Sequence, residues 1–143
     1  MIKKILCAID FSEISKNVAS YTHFLASKIN SKVYVIHVVK SLLWSEEFGV
    51  SLDFKEIYEK ELHELAYKKM EEFVKTYFSN IDVSFEILKE NNVIRQILDF
   101  AEKNDIDLIV VGAHGEHGFQ DFIFGSVTEK IIKLSKIPVL VVK

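Results

Sequence analysis

Between Gly112 and Gly125 the chain reads Gly-Ala-His-Gly-Glu-His-Gly-Phe-Gln-Asp-Phe-Ile-Phe-Gly, and this stretch holds four of the five glycines in the sequence. A connection from strand to helix usually takes about 2–6 residues, so the excess length asks for a purpose. Glycines at 112, 115, 118 and 125 permit positive φ and close approach of the backbone to a ligand. Ser126-Val127-Thr128-Glu129 follows at once, with the S-x-x-E form of a capping box, which places the start of a helix at Ser126. The first turn of a helix offers unpaired N–H groups and the positive end of the macrodipole, the usual receptor for a phosphate. Val111 and Gly112 at the end of the preceding strand, His114 in the loop, and Ser126, Val127 and Thr128 in the first helical turn are therefore candidate contacts to a phosphorylated ligand.

Other chemistries fit less well. The loop lacks the Gly-Lys-Ser/Thr of a Walker A motif, and a dinucleotide fingerprint would follow the first strand rather than a late one. His114 and His117 have a spacing that can serve a metal, but no Cys or carboxylate cluster completes a tetrahedral set. Glu116 and Asp121 read as solvated loop carboxylates, and no Ser/His/Asp or Cys/His constellation can be assembled. Cys7, the single cysteine, lies among Ile5, Leu6, Ala8 and Ile9 and reads as a small buried hydrophobe. His37 falls inside an apolar run and reads as a hydrogen-bonded core histidine. His23 and His63 read as surface residues on helices.

The elements that must position the loop follow from hydrophobic period. Continuous or β-branched apolar runs at 5–9, 33–39, 108–111 and 139–142 predict buried strands, the last entered through Pro138. Residues 83–87 alternate, which predicts a half-exposed strand at a sheet edge. Between the strands lie helical stripes: Ile14, Val18, Tyr21, Leu25 and Ile29 after a capping Ser12; Phe54, Tyr58, Leu62, Leu65, Lys69, Phe73 and Tyr77; Val93, Ile94, Ile97, Leu98 and Ala101; and Val127, Ile131 and Leu134. Residues 40–53 show neither period, and Leu42, Leu43, Trp44 and Phe48 within them read as a hydrophobic lid on the core. Strand–helix alternation predicts an α/β fold, with right-handed crossovers giving one parallel sheet covered by helices on both faces. Ligands of such sheets settle at the carboxyl ends of strands where the order switches direction. Asp10 and Gly112 both stand at such ends. If the first and fourth strands are neighbours, Asp10 faces the glycine loop and can accept hydrogen bonds from a ribose or a base.

Composition sets the outer limits. At 143 residues one domain spanning 1–143 is expected. A formal charge of −3, from 18 Lys and Arg against 21 Asp and Glu, argues against a general nucleic-acid binder. No apolar run reaches the roughly 18 residues of a membrane span, and Met1-Ile2-Lys3-Lys4 leads straight into a strand without a signal-peptide core. A cytoplasmic protein with no membrane partner is the expectation.

These residues resemble a known family. Gly112-x-x-Gly115-x9-Gly125-Ser126, preceded by Asp107-Leu108-Ile109-Val110-Val111 and followed by Val127-Thr128-Glu129-Lys130 and Pro138-Val139-Leu140-Val141-Val142, is similar to the signature of ATP-binding universal stress proteins. Lys3-Lys4-Ile5-Leu6 through Ala8-Ile9-Asp10-Phe11-Ser12, and His37-Val38, extend the likeness over nearly the whole chain. The resemblance implies a Rossmann-like, adenine nucleotide alpha hydrolase-like sheet ordered 3-2-1-4-5. It implies ATP as ligand, with Mg2+ or Mn2+ as an optional companion, Ala8 lining the adenine pocket, Asp10 and Val38 beside the adenosine, and the glycine loop with Ser126 around the phosphates. It also implies a homodimer through Val139–Val142 and a stress-linked signalling role with little or no catalysis, the protein partner being unknown. Slow ATP hydrolysis and a scaffold that holds AMP, ADP or no nucleotide remain the alternatives. Two departures stand out. Asn91-Asn92-Val93 replaces the family's frequent Gly-x-Pro, and Phe119, Phe122 and Phe124 occupy a stretch where basic residues are frequent, which favours AMP or ADP as rivals to ATP.

Overall fold

Ile5, Leu6 and Cys7 are consecutive and all fully buried, which requires both faces of their strand to be covered. The computed structural model, which describes residues 1–39, 52–89, 92–115 and 125–143, shows how. Strands β1 (Lys4–Ala8), β2 (Lys32–Val39), β3 (Val83–Lys89), β4 (Leu108–Gly112) and β5 (Val139–Val142) alternate with helices α1 (Glu13–Ile29), α2 (Leu52–Tyr77), α3 (Val93–Lys103) and α4 (Ser126–Leu134). The sheet is parallel throughout and ordered β3-β2-β1-β4-β5. The register pairs Cys7 with Val35 on one side and with Val110 on the other. The alternating strand, β3, lies at an edge as its pattern predicts.

Alternate residues of each strand feed two cores. Ile5, Cys7, Val33, Val35 and Val110 pack with Ile14 and Val18 of α1 and Met70 of α2. Leu6, Ile36, Ile109 and Val111 pack with Ile97 and Ala101 of α3 and Ile131 of α4. Burial pushes the Cys7 thiol up to about 12, against a smaller opposing hydrogen bond with Thr22. Such a thiol is protonated and unreactive at neutral pH, in keeping with its reading as a core hydrophobe.

The helical stripes need correction. In α1 the buried line is Ile14, Ser15, Val18, Ala19, Thr22 and Ala26, whereas Tyr21 and Ile29 are exposed. Small residues let the helix approach the sheet closely, and Thr22 is buried without penalty because its hydroxyl donates to the Val18 carbonyl at 2.7 Å. In α2 the packed residues are Ala66, Met70, Phe73, Val74 and Tyr77, while Phe54, Tyr58 and Leu65 of the predicted stripe are exposed. Twenty-six helical residues span about 39 Å, against about 26 Å for the eight residues of β2, so the first turns of α2 overhang the sheet. In α4, Ile131 and Thr128 are buried, and Leu134 is not. The segment holding Leu42, Leu43, Trp44 and Phe48 lies outside the described residues.

Candidate nucleotide site

Chain order reverses direction between β1 and β4, and a cleft of about 680 Å³ opens there at the carboxyl ends of the strands. That volume suits a small ligand. The structure brings eleven of the residues singled out from sequence to its wall: Ala8, Asp10, Val38, Val111, Gly112, His114, Gly115, Gly125, Ser126, Val127 and Thr128. Gly118, His117, Glu116, Asp121 and the three phenylalanines of the loop lie outside the described residues, as does Asn91.

One wall is the turn after β1. The Oδ1 of Asp10 accepts from the Ser12 amide at 3.0 Å, the Ser12 hydroxyl, and the Ser15 hydroxyl at 3.1 Å. Ser12 thus occupies the N-cap position of α1 but gives its side chain to Asp10, with no cap hydrogen bond to the helix. Phe11 follows with φ 62°, a conformation that costs a bulky residue about 1–3 kcal/mol and persists only where its surroundings enforce it.

The opposite wall is a corner made of backbone. Gly125 N–H donates to the Ala113 carbonyl at 2.8 Å, Ala113 N–H donates to the Val142 carbonyl at 2.7 Å, and the buried Thr128 hydroxyl donates to the Gly112 carbonyl at 2.6 Å. The three described glycines are there for clearance and not for positive φ. A β-carbon on Gly115 would lie 2.5 Å from Asp10 Oδ2, one on Gly125 3.3 Å from His114 Cα, and one on Gly112 3.0 Å from Ile14 Cγ2. Asp10 therefore faces the glycine corner across the β1–β4 crevice, in contact distance of the one glycine that leaves it room.

The capping box is not formed. Gly125 holds the N-cap position and Ser126 is the first helical residue, without a side-chain cap. Glu129, which the box would turn back toward Ser126, instead accepts from Lys133 at 2.8 Å one turn on, and that contact lowers its pKa. The consequence favours a ligand: the Ser126 hydroxyl stays exposed at the cleft, and the first-turn amides of α4 have no intrahelical acceptors. On the far side, the turn that lacks Gly-x-Pro is closed by Asn92, whose Oδ1 accepts from the Arg95 amide at 3.1 Å.

Sequence reasoning passed over several residues here. Ser15, Ile9, Ile36, His37, Val39, Leu62, Val93 and Ile97 contribute to the cleft or to the support of Asp10. The apolar ones carry no signal beyond core periodicity. Ser15 was legible in the Asp-x-Ser-x-x-Ser spacing. His37 is hydrogen-bonded as expected, yet it stands in the cleft wall rather than in the closed core. Among the described residues no three His, Cys, Asp or Glu side chains group as a metal site, and no helix is long and apolar enough to cross a membrane.

The profile of the universal stress protein family matches residues 1–143. The chain belongs to the universal stress protein family. It is similar to universal stress protein MJ0577 of Methanocaldococcus jannaschii, with 34% identity covering all of this chain and 96% of that protein. The solved structure of MJ0577 superposes with a TM-score of 0.86 and 31% identity, covering 100% of this chain and 96% of that one. A universal stress protein from Archaeoglobus fulgidus solved in complex with dAMP shares the fold at a TM-score of 0.63, with 22% identity over 100% of this chain and 98% of that one.

Proposed function

We propose that this universal stress protein binds an adenine nucleotide in the β1–β4 cleft and acts as a nucleotide-dependent module in stress response or signalling, with little or no catalysis. The observation that carries the reading is the pairing of two unlike walls: an aspartate fixed by its own turn faces a glycine corner that opens onto a helix N-terminus. The first can accept hydrogen bonds from ribose or base, and the second offers backbone N–H groups to phosphate. Ala8, Val38 and Val111 supply apolar contact for the base between them. The dAMP held by the Archaeoglobus fulgidus protein of the same fold agrees with this assignment.

ATP is the first ligand to test, with Mg2+ or Mn2+ arriving on its phosphates. A specific observation favours the smaller nucleotides. Residues 112–125 contain no Lys or Arg, and none lines the cleft among the described residues. Added phosphate charge thus meets backbone dipoles and hydroxyls alone, so AMP or ADP should compete well with metal-free ATP.

The proposed readout is a homodimer through the edge strand β5. Val142 of that strand receives the Ala113 amide, and Ala113 receives the Gly125 amide, so two hydrogen bonds separate the phosphate corner from the edge. Gly125→Val should abolish nucleotide binding in isothermal titration with ATP, ADP and AMP while circular dichroism stays native, because its side chain must displace the His114 backbone. Unchanged affinity in a folded Gly125→Val protein would remove the site assignment.

A further inference from the structure

His37 stands at the end of β2, in the cleft wall. Its Nδ1 lies 2.9 Å from the Ile9 carbonyl oxygen. A carbonyl only accepts, so Nδ1 carries the proton and donates. The Ile9 amide in turn donates to the Ile36 carbonyl at 3.0 Å. Residue 9, just past the last β1–β2 register pair of Ala8 with Ile36, is thereby tied to β2 through both its amide and its carbonyl. The same imidazole packs against Phe11, with ring centroids 4.6 Å apart and planes tilted by 54°. Phe11 is further held by the edge of Phe73 at 5.9 Å and by Lys69 Nζ 5.7 Å from its ring centre.

Asp10 lies between the two residues that His37 grips. Its carboxylate reaches Gly115 only while Phe11 keeps its left-handed φ, and an unsupported phenylalanine would relax from it. We infer that His37 is a positioning residue for the cleft: its Nδ1–H holds the Ile9 carbonyl and its ring props Phe11, which together fix the Asp10 carboxylate against Gly115. The inference rests on the nucleotide reading above.

Two substitutions separate the two contacts. His37→Phe keeps a ring against Phe11 and removes the donor, whereas His37→Asn keeps an N–H on the atom bonded to Cγ and removes the ring. Isothermal titration with AMP and with ATP should show His37→Phe, which loses the Ile9 contact, and His37→Asn, which loses the Phe11 contact, each weakened by about fivefold or more. Inorganic phosphate should bind all three alike. Nitrogen-15 NMR of the ligand-free wild type gives a separate readout, a proton on Nδ1 of His37 at neutral pH. An unprotonated Nδ1, or a folded His37→Phe or His37→Asn protein with wild-type nucleotide affinity, would each overturn the inference while the binding reading stands. A wild type without affinity for any adenine nucleotide would overturn both, and the NMR result would still show whether the Ile9 contact exists.

Discussion

The two rims of the sheet each carry an aspartate, and the two are used in opposite ways. At the amino-end rim, Asp107 Oδ2 accepts from the backbone amides of Lys3 and Lys4 at 2.8 and 3.0 Å. Around it, Lys4 Nζ donates to the Asn104 carbonyl and Ser31 to the Ile2 carbonyl, so polar groups here are spent on one another. At the carboxyl-end rim, Asp10 spends Oδ1 on its own turn and presents Oδ2 toward Gly115, where a missing β-carbon leaves the space. One rim is closed by hydrogen bonds. The other is held apart by them. A carboxylate at a strand end is therefore no mark of a site by itself; whether it ties a distant segment to the strand or only its own turn decides whether it seals the sheet or frames an opening.

The sharpest way to break this contrast is to fill the space that defines the open rim. Gly115→Ala places a methyl carbon 2.5 Å from Asp10 Oδ2, so the carboxylate must swing away and loosen its bonds to Ser12 and Ser15. Adenine-nucleotide affinity is expected to fall by about tenfold to a hundredfold in titration calorimetry, with the protein still folded. In an Asp10→Ala background the same change should cost almost nothing, because the two residues act as one unit. Additive losses would show that glycine and aspartate serve the cleft separately.

A smaller effect is expected from the strut behind the glycine corner. Thr128→Val keeps shape but removes the hydroxyl that donates to the Gly112 carbonyl at 2.6 Å from a buried position. Losing such a bond costs about 1 kcal/mol. Urea unfolding should show a lower midpoint with unchanged slope. An unshifted midpoint would mean that the open rim is not held in shape by this contact.

The fold was legible because strand burial is written in sequence: apolar runs at 33–39 and 108–111 announce strands covered on both faces, and alternation at 83–87 announces an edge. Sheet order was not legible from period and came from the resemblance. The site was legible where spacing carries it, in the glycines and in the end of β1. What escaped were features that depend on a partner distant in sequence. The clearance at Gly115 exists only because Asp10 packs there, and Glu129 leaves the capping box because Lys133 is four residues on. His37 joins the wall because Ile9 and Phe11 fold back over it. Helix faces misled for a related reason: Phe54 and Tyr58 have the right period, but period cannot say where the sheet beneath a helix ends.

The smallest effect belongs to the closed rim. Two backbone amides hydrogen-bonded to Asp107 hold its carboxyl below the ordinary carboxylate range, with nearby positive charge adding to the shift. A group whose folded-state pKa is depressed contributes stability that is present above its unfolded value, near 3.9, and lost as pH falls through the folded value. Wild-type melting temperature should therefore begin to lose this contribution only below about pH 4. Asp107→Asn retains an acceptor oxygen but no charge, so it should be slightly less stable than wild type from pH 5 to 7 and converge on it in the acid range. The open rim should not register the change: nucleotide affinity at pH 7 is expected to match wild type, since Asp107 lies at the opposite ends of the strands from the cleft. Thermal melts from pH 2 to 7, paired with titration calorimetry at pH 7, read both halves. A gap between the two proteins that persists undiminished at the lowest pH would assign the contribution of Asp107 to shape rather than charge, and a loss of nucleotide affinity would mean that the two rims are mechanically linked through β1 and β4.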